Sequence, residues 1–332
     1  LTLCSGPLLL SLFPFLVVSR LLIQCPESDL LALPFRLAAW GIGIRTPCAA
    51  RVLCIGFLGG FAPAASAAAQ AVRTGQLTAE EADALLPACI CSGPSFVVLT
   101  VGQSLLGSAE LGVLLFASQI TANYLTAALL NRFAGMHSVK PGSAAPAFPA
   151  PPRLDEILAD AAITYCKLCG FILFFRMLAA GAGALLPAGA GTLCAVLLEV
   201  CSGCDLASRT GRWGSLLCCA ALSVQGLSVL LQVRTICPPE MTLRPLYRSR
   251  LLHLPLSLAL FYLLLPGGEA DVFSTLPARV LLKRRVPPDC ALLVFAVCCM
   301  AACTLRSGIR QVEQKQMARN AGGCCINSKT LL

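Results

Sequence analysis

Glu199 is a carboxylate inside an apolar run, CAVLLEVCSGC, directly before a Ser202-Gly203 pair that interrupts helical sequence. Two arginines, Arg20 in PFLVVSRLL and Arg176 in FFRML, are set in similar apolar surroundings. An ionised side chain at the centre of a membrane span costs about 2.5 to 3.5 kcal/mol on insertion scales, so such residues are candidates for proton relays, cation ligands or solute partners. Glu199 can carry a proton, and an arginine can neutralise an anion. Two structural roles stay open beside these: an ion pair of Glu199 with Arg176 or Arg20, and snorkelling of Arg20 toward the helix end at Gln24. Further polar points lie where helices are interrupted, at Gly59-Gly60 with Pro63, at Ser92-Gly93-Pro94-Ser95 and at Gln225-Gly226. No water satisfies freed backbone groups in lipid, so broken helices at membrane depth line a polar cavity or are buried in protein. These interruptions are therefore predicted to form a solute-binding site.

The elements that position them are helices. With 57% hydrophobic and 12% charged residues over 332 positions and a mean hydropathy of +0.79, the chain departs far from the composition of soluble domains. An all-α polytopic membrane protein is expected, with about eight spans, six to ten, of roughly 20 residues each. The candidates lie near 1–24, 89–107, 110–131, 157–180, 184–201, 213–233, 251–266 and 289–305, and the stretch 30–72 is shorter and broken. Residues 30–47 suit a re-entrant or interfacial hairpin. The chain starts at Leu1, so an earlier start is expected, and Leu1–Cys25 lacks the basic n-region and cleavage site of a signal peptide.

The formal charge of +9 comes mainly from bases grouped between spans and in the tail. Arg244, Arg248 and Arg250 form one group, and Arg279, Lys283, Arg284 and Arg285 another. Arg306, Arg310, Lys315, Arg319 and Lys329 follow toward the end. Such clusters mark cytoplasmic segments, which favours a cytoplasmic tail and a lipid bilayer over a nucleic-acid partner. Most of the 20 cysteines sit in apolar runs, where cysteine acts as a small hydrophobe. Cys201-Ser-Gly-Cys204 has redox or zinc spacing but no second pair, and the only histidines, His137 and His253, are far apart. No metal or other cofactor is expected. There is no GxSxG, Walker or HExxH sequence, so the chain is not expected to be an enzyme.

Along the chain, Gly56, Gly60, Ala64 and Ala68 repeat at a spacing that lets helices approach closely. Thr78 followed by Glu81 is a capping box opening a connector helix, with Glu80, Glu81 and Asp83 expected as solvated helix-start charges. Pro94 at a helix start wastes no amide, and the free amides of a helix N-terminus attract anions, with Ser92 and Ser95 beside them. Gln119 and Asn123 share a helical face, where they either tie helices together or touch solute. Lys167 is expected to snorkel and Asp205 and Arg209 to lie at the interface. AGMHSVKPGSAAPAFPAPPR then reads as a flexible linker.

After the linker the pattern returns. CGFILFFRML answers PFLVVSRLL, CAVLLEVCSGCDLAS answers CIGFLGGFAPAAS, and SVQGLSVLLQV answers CSGPSFVVLTV, in the same order. An internal repeat, inverted in the membrane, is expected, with solute held where the broken helices of both halves meet. The predicted organisation is a first repeat over 1–133, a Pro/Ala-rich linker over 134–153, a second repeat over 154–236, and C-terminal helices with a basic tail over 237–332. The predicted solute residues are Gly59, Gly60, Pro63, Ser92, Gly93, Pro94, Ser95, Ser202, Gly203, Gln225, Arg20 and Arg176, with Glu199 coupling protons or ions.

In GFLGGFAPAASAAAQAVRTGQLTAEEADALL, CSGPSF and LLEVCSGC, with PFLVVSRLL and FFRML ahead of each half, the chain resembles the nucleoside-recognition or Gate domain family. It most resembles the sporulation integral membrane protein branch, the YlbJ family, over roughly residues 10–235. It departs from that pattern in reading Gly59-Gly-Phe-Ala-Pro-Ala-Ala65 and in placing Cys89, Ile90 and Cys91 ahead of Ser-Gly-Pro. The resemblance implies a transporter or exporter in the outer forespore membrane of a spore-forming bacterium, carrying dipicolinic acid for spore maturation and cortex formation. It also makes Arg20 and Arg176 partners for the solute carboxylates. The alternatives are a non-transporting scaffold for other sporulation membrane proteins, or a nucleoside or ion permease.

Overall fold

Glycines, prolines and isolated polar groups divide this apolar chain into helices. The computed structural model describes residues 7–24, 26–134 and 154–265. These fall within one compact unit, Leu1–Val280. The linker beyond Ala134, His137, the candidate span 289–305 and the basic tail from Arg279 onward lie outside the described residues.

Among the described residues every regular element is helical and no strand occurs. The first half runs α1 (Pro7–Gln24), α2 (Leu33–Gly41), α3 (Pro47–Gly59), α4 (Phe61–Arg73), α5 (Ala79–Cys89), α6 (Ser95–Leu105, wound in the wide i→i+5 manner) and α7 (Ala109–Phe133). The second half runs α8 (Leu154–Leu185), α9 (Ala188–Leu198), α10 (Val200–Ser208), α11 (Gly214–Val224), α12 (Gly226–Ile236) and α13 (Arg244–Leu264). Apart from α2, each half is thus a long helix, two pairs of short helices parted by a break, and a long helix.

Among the described residues three stretches are long and apolar enough to cross a membrane: Ala109–Phe133, Leu154–Leu185 and Gly211–Ile236. Of the predicted eight, 289–305 lies outside the described residues, and several of the others are shortened by breaks or charges. The candidate 89–107 contains a non-helical segment before Ser95, 184–201 is interrupted near Pro187 and at Glu199, and 251–266 is the end of α13, whose first turns hold Arg244, Arg248 and Arg250. Residues 30–47 contain only the short helix α2, closed by a left-handed Gly43.

Small residues carry the packing of α3, α4 and α5, as their spacing predicts. A Cβ on Gly56 would lie 2.7 Å from that of Cys89, and Ala64 and Ala68 are fully enclosed. The capping box also forms, with the Glu81 amide donating to Thr78 Oγ1 at 3.1 Å and the Thr78 amide to Glu81 Oε2 at 3.0 Å. The connector is not solvated as expected, however. Only Glu80 is exposed; Glu81 is buried and also accepts from the Thr46 hydroxyl.

Asp83 is buried too, and accepts from the Thr242 amide at 2.8 Å, the Thr242 hydroxyl at 2.6 Å and the Leu243 amide at 3.1 Å. Leu243 has a left-handed backbone with φ 57° immediately before α13. Asp83 therefore fixes where α13 begins. Asp83→Ala is expected to destabilise the protein by about 3 kcal/mol, because buried amides lose a charged acceptor, and thermal unfolding in detergent measures the loss. Arg51 ties the start of α3 to its neighbours. It donates to the Ile23 carbonyl at 2.8 Å and Gln76 Oε1 at 3.0 Å, and pairs with Asp29 at 3.2 Å.

Candidate functional site

The interruptions meet in pairs. Gly60 has φ 83° and ψ −164°, and a Cβ there would lie 2.6 Å from the Gly93 nitrogen. The α3–α4 break and the turn ahead of α6 therefore touch backbone to backbone. In the second half, Gly226 has φ 69°, and a Cβ on it would lie 2.9 Å from the Glu199 nitrogen. The α9–α10 and α11–α12 breaks touch in the same manner. A hydrogen bond crosses between halves, from Gln225 Nε2 to the Ile90 carbonyl at 3.1 Å. Gln225 itself is left-handed, with φ 62°.

Beside this crossing is a cavity of about 60 Å³, several times the space one water needs. Of the predicted residues, Gly59, Ser92, Gly93, Ser95 and Glu199 line it. The remaining wall includes three phenylalanines, Phe15, Phe61 and Phe96, together with Leu168 and Ile172 from α8. Cys201, Val229 and Gln232 close the side formed by α10 and α12. Both halves thus line one partly open cavity.

Glu199 is 2% exposed and caps α10. Its Oε1 accepts from the Cys201 amide at 2.8 Å and its Oε2 from the Ser202 amide at 2.7 Å. The positive end of the helix dipole stabilises a carboxylate there. Neither arginine is its partner. Arg20 pairs with Asp160 of α8 at 2.5 Å, with the Asp160 side chain 60% exposed, and Arg176 is exposed on the outer side of α8. Neither lines the cavity.

The other predicted residues support the site from behind or stand apart. Pro63 packs where a side chain on Gly59 would go, and Pro94 caps α6. Ser202 contributes its amide to Glu199, and a Cβ on Gly203 would lie 2.8 Å from Val196 Cα, so Gly203 serves the close approach of α9 and α10. Gly60 and Gln225 shape the crossing without facing the cavity.

Gln232 is the polar lining residue that sequence reasoning missed. Its Nε2 donates to Ser228 Oγ at 2.9 Å, while its Oε1 has no partner and is buried. A lone glutamine in SVLLQV was the available signal, since polar side chains in apolar spans are costly unless they serve a purpose. Gln119 and Asn123 tie helices together, as one of their two expected roles: Gln119 Nε2 donates to Ser223 Oγ at 3.0 Å and to the Cys219 carbonyl at 3.3 Å, and Asn123 Nδ2 donates to the Ile90 carbonyl at 3.4 Å. Lys167 is exposed, and Asp205 pairs with Arg209 at 2.9 Å on the surface of α10. No known protein family, curated protein or solved structure matches this chain.

Proposed function

We propose that the chain is a membrane transporter that moves a small, flat organic solute through the cavity between its two halves. The observation that carries this reading is the convergence of interrupted helices from both halves on one partly open cavity lined by Glu199, Ser92, Ser95 and Gln232. On this reading α1, α7, α8 and α13 are unbroken crossings, and α3–α4, α5–α6, α9–α10 and α11–α12 are broken ones. Together they make eight crossings in two repeats, which we take to be inverted, as in transporters that hold solute between such halves.

The solute we propose is an organic anion, and the cavity offers a way to hold one although no basic side chain lines it among the described residues. Protonating Glu199 weakens its hold on the Cys201 and Ser202 amides. A solute carboxylate can then take its place at the start of α10, where free amides and the helix dipole favour an anion. Anion and proton would move together. Dipicolinate, carried across the outer forespore membrane, is the candidate that the family resemblance supplies. A neutral nucleoside-like solute is the second reading, favoured by the three phenylalanine rings in the cavity wall.

The test is flux into liposomes holding the purified full chain under an imposed proton gradient. Dipicolinate uptake that follows the gradient is the expected result, and competition by nucleosides selects the second reading. If neither solute moves, the transport reading fails, leaving the chain as a membrane scaffold. Gln232→Leu, which replaces a lining amide by an apolar side chain of similar size, is expected to lower flux about tenfold, the equivalent of one hydrogen bond.

A further inference from the structure

Arg250, grouped by sequence with the bases between spans, is instead turned into the protein from α13 and is 8% exposed. Its Nη2 donates to Asn123 Oδ1 at 3.3 Å and its Nε to Ser249 Oγ at 3.3 Å. Its Nη1 is buried without a partner, and no carboxylate pairs with Arg250 among the described residues. Arginine stays protonated at neutral pH. A buried guanidinium held only by neutral groups is strongly disfavoured, because its lost hydration is not offset by an opposite charge.

Its surroundings are also short of partners. His253, one turn along α13, meets the Gln119 carbonyl through Nε2 at 3.2 Å and has no partner at Nδ1. Thr126, one turn from Asn123 on α7, has an unpartnered buried hydroxyl, and Gln225 has an unpartnered Oε1. The contacts Asn123–Arg250 and Gln119–His253 run in opposite senses along the two helices, so α7 and α13 are antiparallel here.

We propose that Arg250 Nη1 holds a small monovalent anion of chloride size between α7 and α13. One uncompensated positive charge calls for one negative charge. With Nε and Nη2 already engaged, a single free nitrogen favours a small ion over a multidentate one. Through Asn123, which also donates to the Ile90 carbonyl that Gln225 holds, the ion supports the crossing of the broken helices. None of Arg250, Asn123, Thr126 or Gln225 lines the cavity, so the proposal does not rest on transport.

The experiment is thermal unfolding of the full chain in detergent as chloride replaces gluconate at constant ionic strength. A saturable rise in melting temperature is expected, about 5 °C when chloride reaches roughly 100 times its dissociation constant. Asn123→Asp supplies the missing negative charge from the protein, and Arg250→Met removes the positive one; both are expected to melt at the same temperature with and without chloride. A wild-type melting temperature indifferent to chloride overturns the proposal, as does a chloride-dependent rise that persists in either variant. A protein that moves no solute in liposomes can still show the chloride effect, so the two readings fail separately.

Discussion

Gly60→Val is expected to abolish the folded protein. The backbone at φ 83° and ψ −164° belongs to a region that only glycine occupies at low cost, and forcing another residue there costs about 1 to 3 kcal/mol. The added Cβ would also lie 2.6 Å from the Gly93 nitrogen and 3.2 Å from the Cys91 carbonyl oxygen. Those are backbone atoms at the turn ahead of α6, so no side chain can rotate away. Relief requires the two breaks to separate, which also opens the cavity wall at Gly59 and Gly93. The combined cost, about 4 kcal/mol or more, rivals the net stability of many proteins. Loss of a monodisperse peak in detergent chromatography is the measurement. Gly75→Ala is the control: Gly75 also has a positive φ, 68°, but nothing surrounds its would-be Cβ, so the protein is expected to remain folded.

Glu199 carries the second large effect. Glu199→Ala leaves the Cys201 and Ser202 amides without an acceptor in a site that is 2% exposed. Losing two charge-assisted hydrogen bonds is expected to destabilise the protein by about 3 kcal/mol. The predicted flux falls further than stability does, because on the transport reading this carboxylate also carries the proton. Glu199→Gln separates the two effects. Its amide keeps one acceptor oxygen but turns a donor toward the other backbone N–H, and it cannot titrate. Residual flux that no longer follows the proton gradient is expected, whereas gradient-driven flux of wild-type size in Glu199→Gln would remove Glu199 from any coupling role. Glu199→Asp, which retains a carboxylate suited to helix starts, is expected to keep most of the stability.

The placement of the arginines marks the limit of what a single chain reveals. Arg20, Arg176 and Arg250 all lie in or beside apolar runs, and their sequences alone do not rank them. Arg20 finds Asp160, 140 positions away; Arg176 faces outward from a helix whose most apolar window is only 22% buried; Arg250 is enclosed by α7 and α13. Helix rotation and the choice of neighbours decide such fates. The same holds for Asp83, whose partners at Thr242 and Leu243 are 159 and 160 positions away. It holds also for Gln232, which lines the cavity only because α12 turns that face inward.

By itself the sequence determined that the chain is apolar and helical, and several of the places where its helices stop. Glycine, proline and isolated polar groups act on the backbone locally, so Gly59-Gly60, Ser92-Gly93-Pro94 and Gln225-Gly226 could be marked as interruptions and Thr78 with Glu81 as a helix start. The break expected at Ser202-Gly203 falls instead at Glu199, and Ser202 and Gly203 are helical. Only the tertiary structure decided which interruptions touch, which polar side chains face the shared cavity and which charges are left without a counterpart. Those outcomes depend on long-range packing and on the balance of desolvation against pairing, and residues far apart in the chain settle both together.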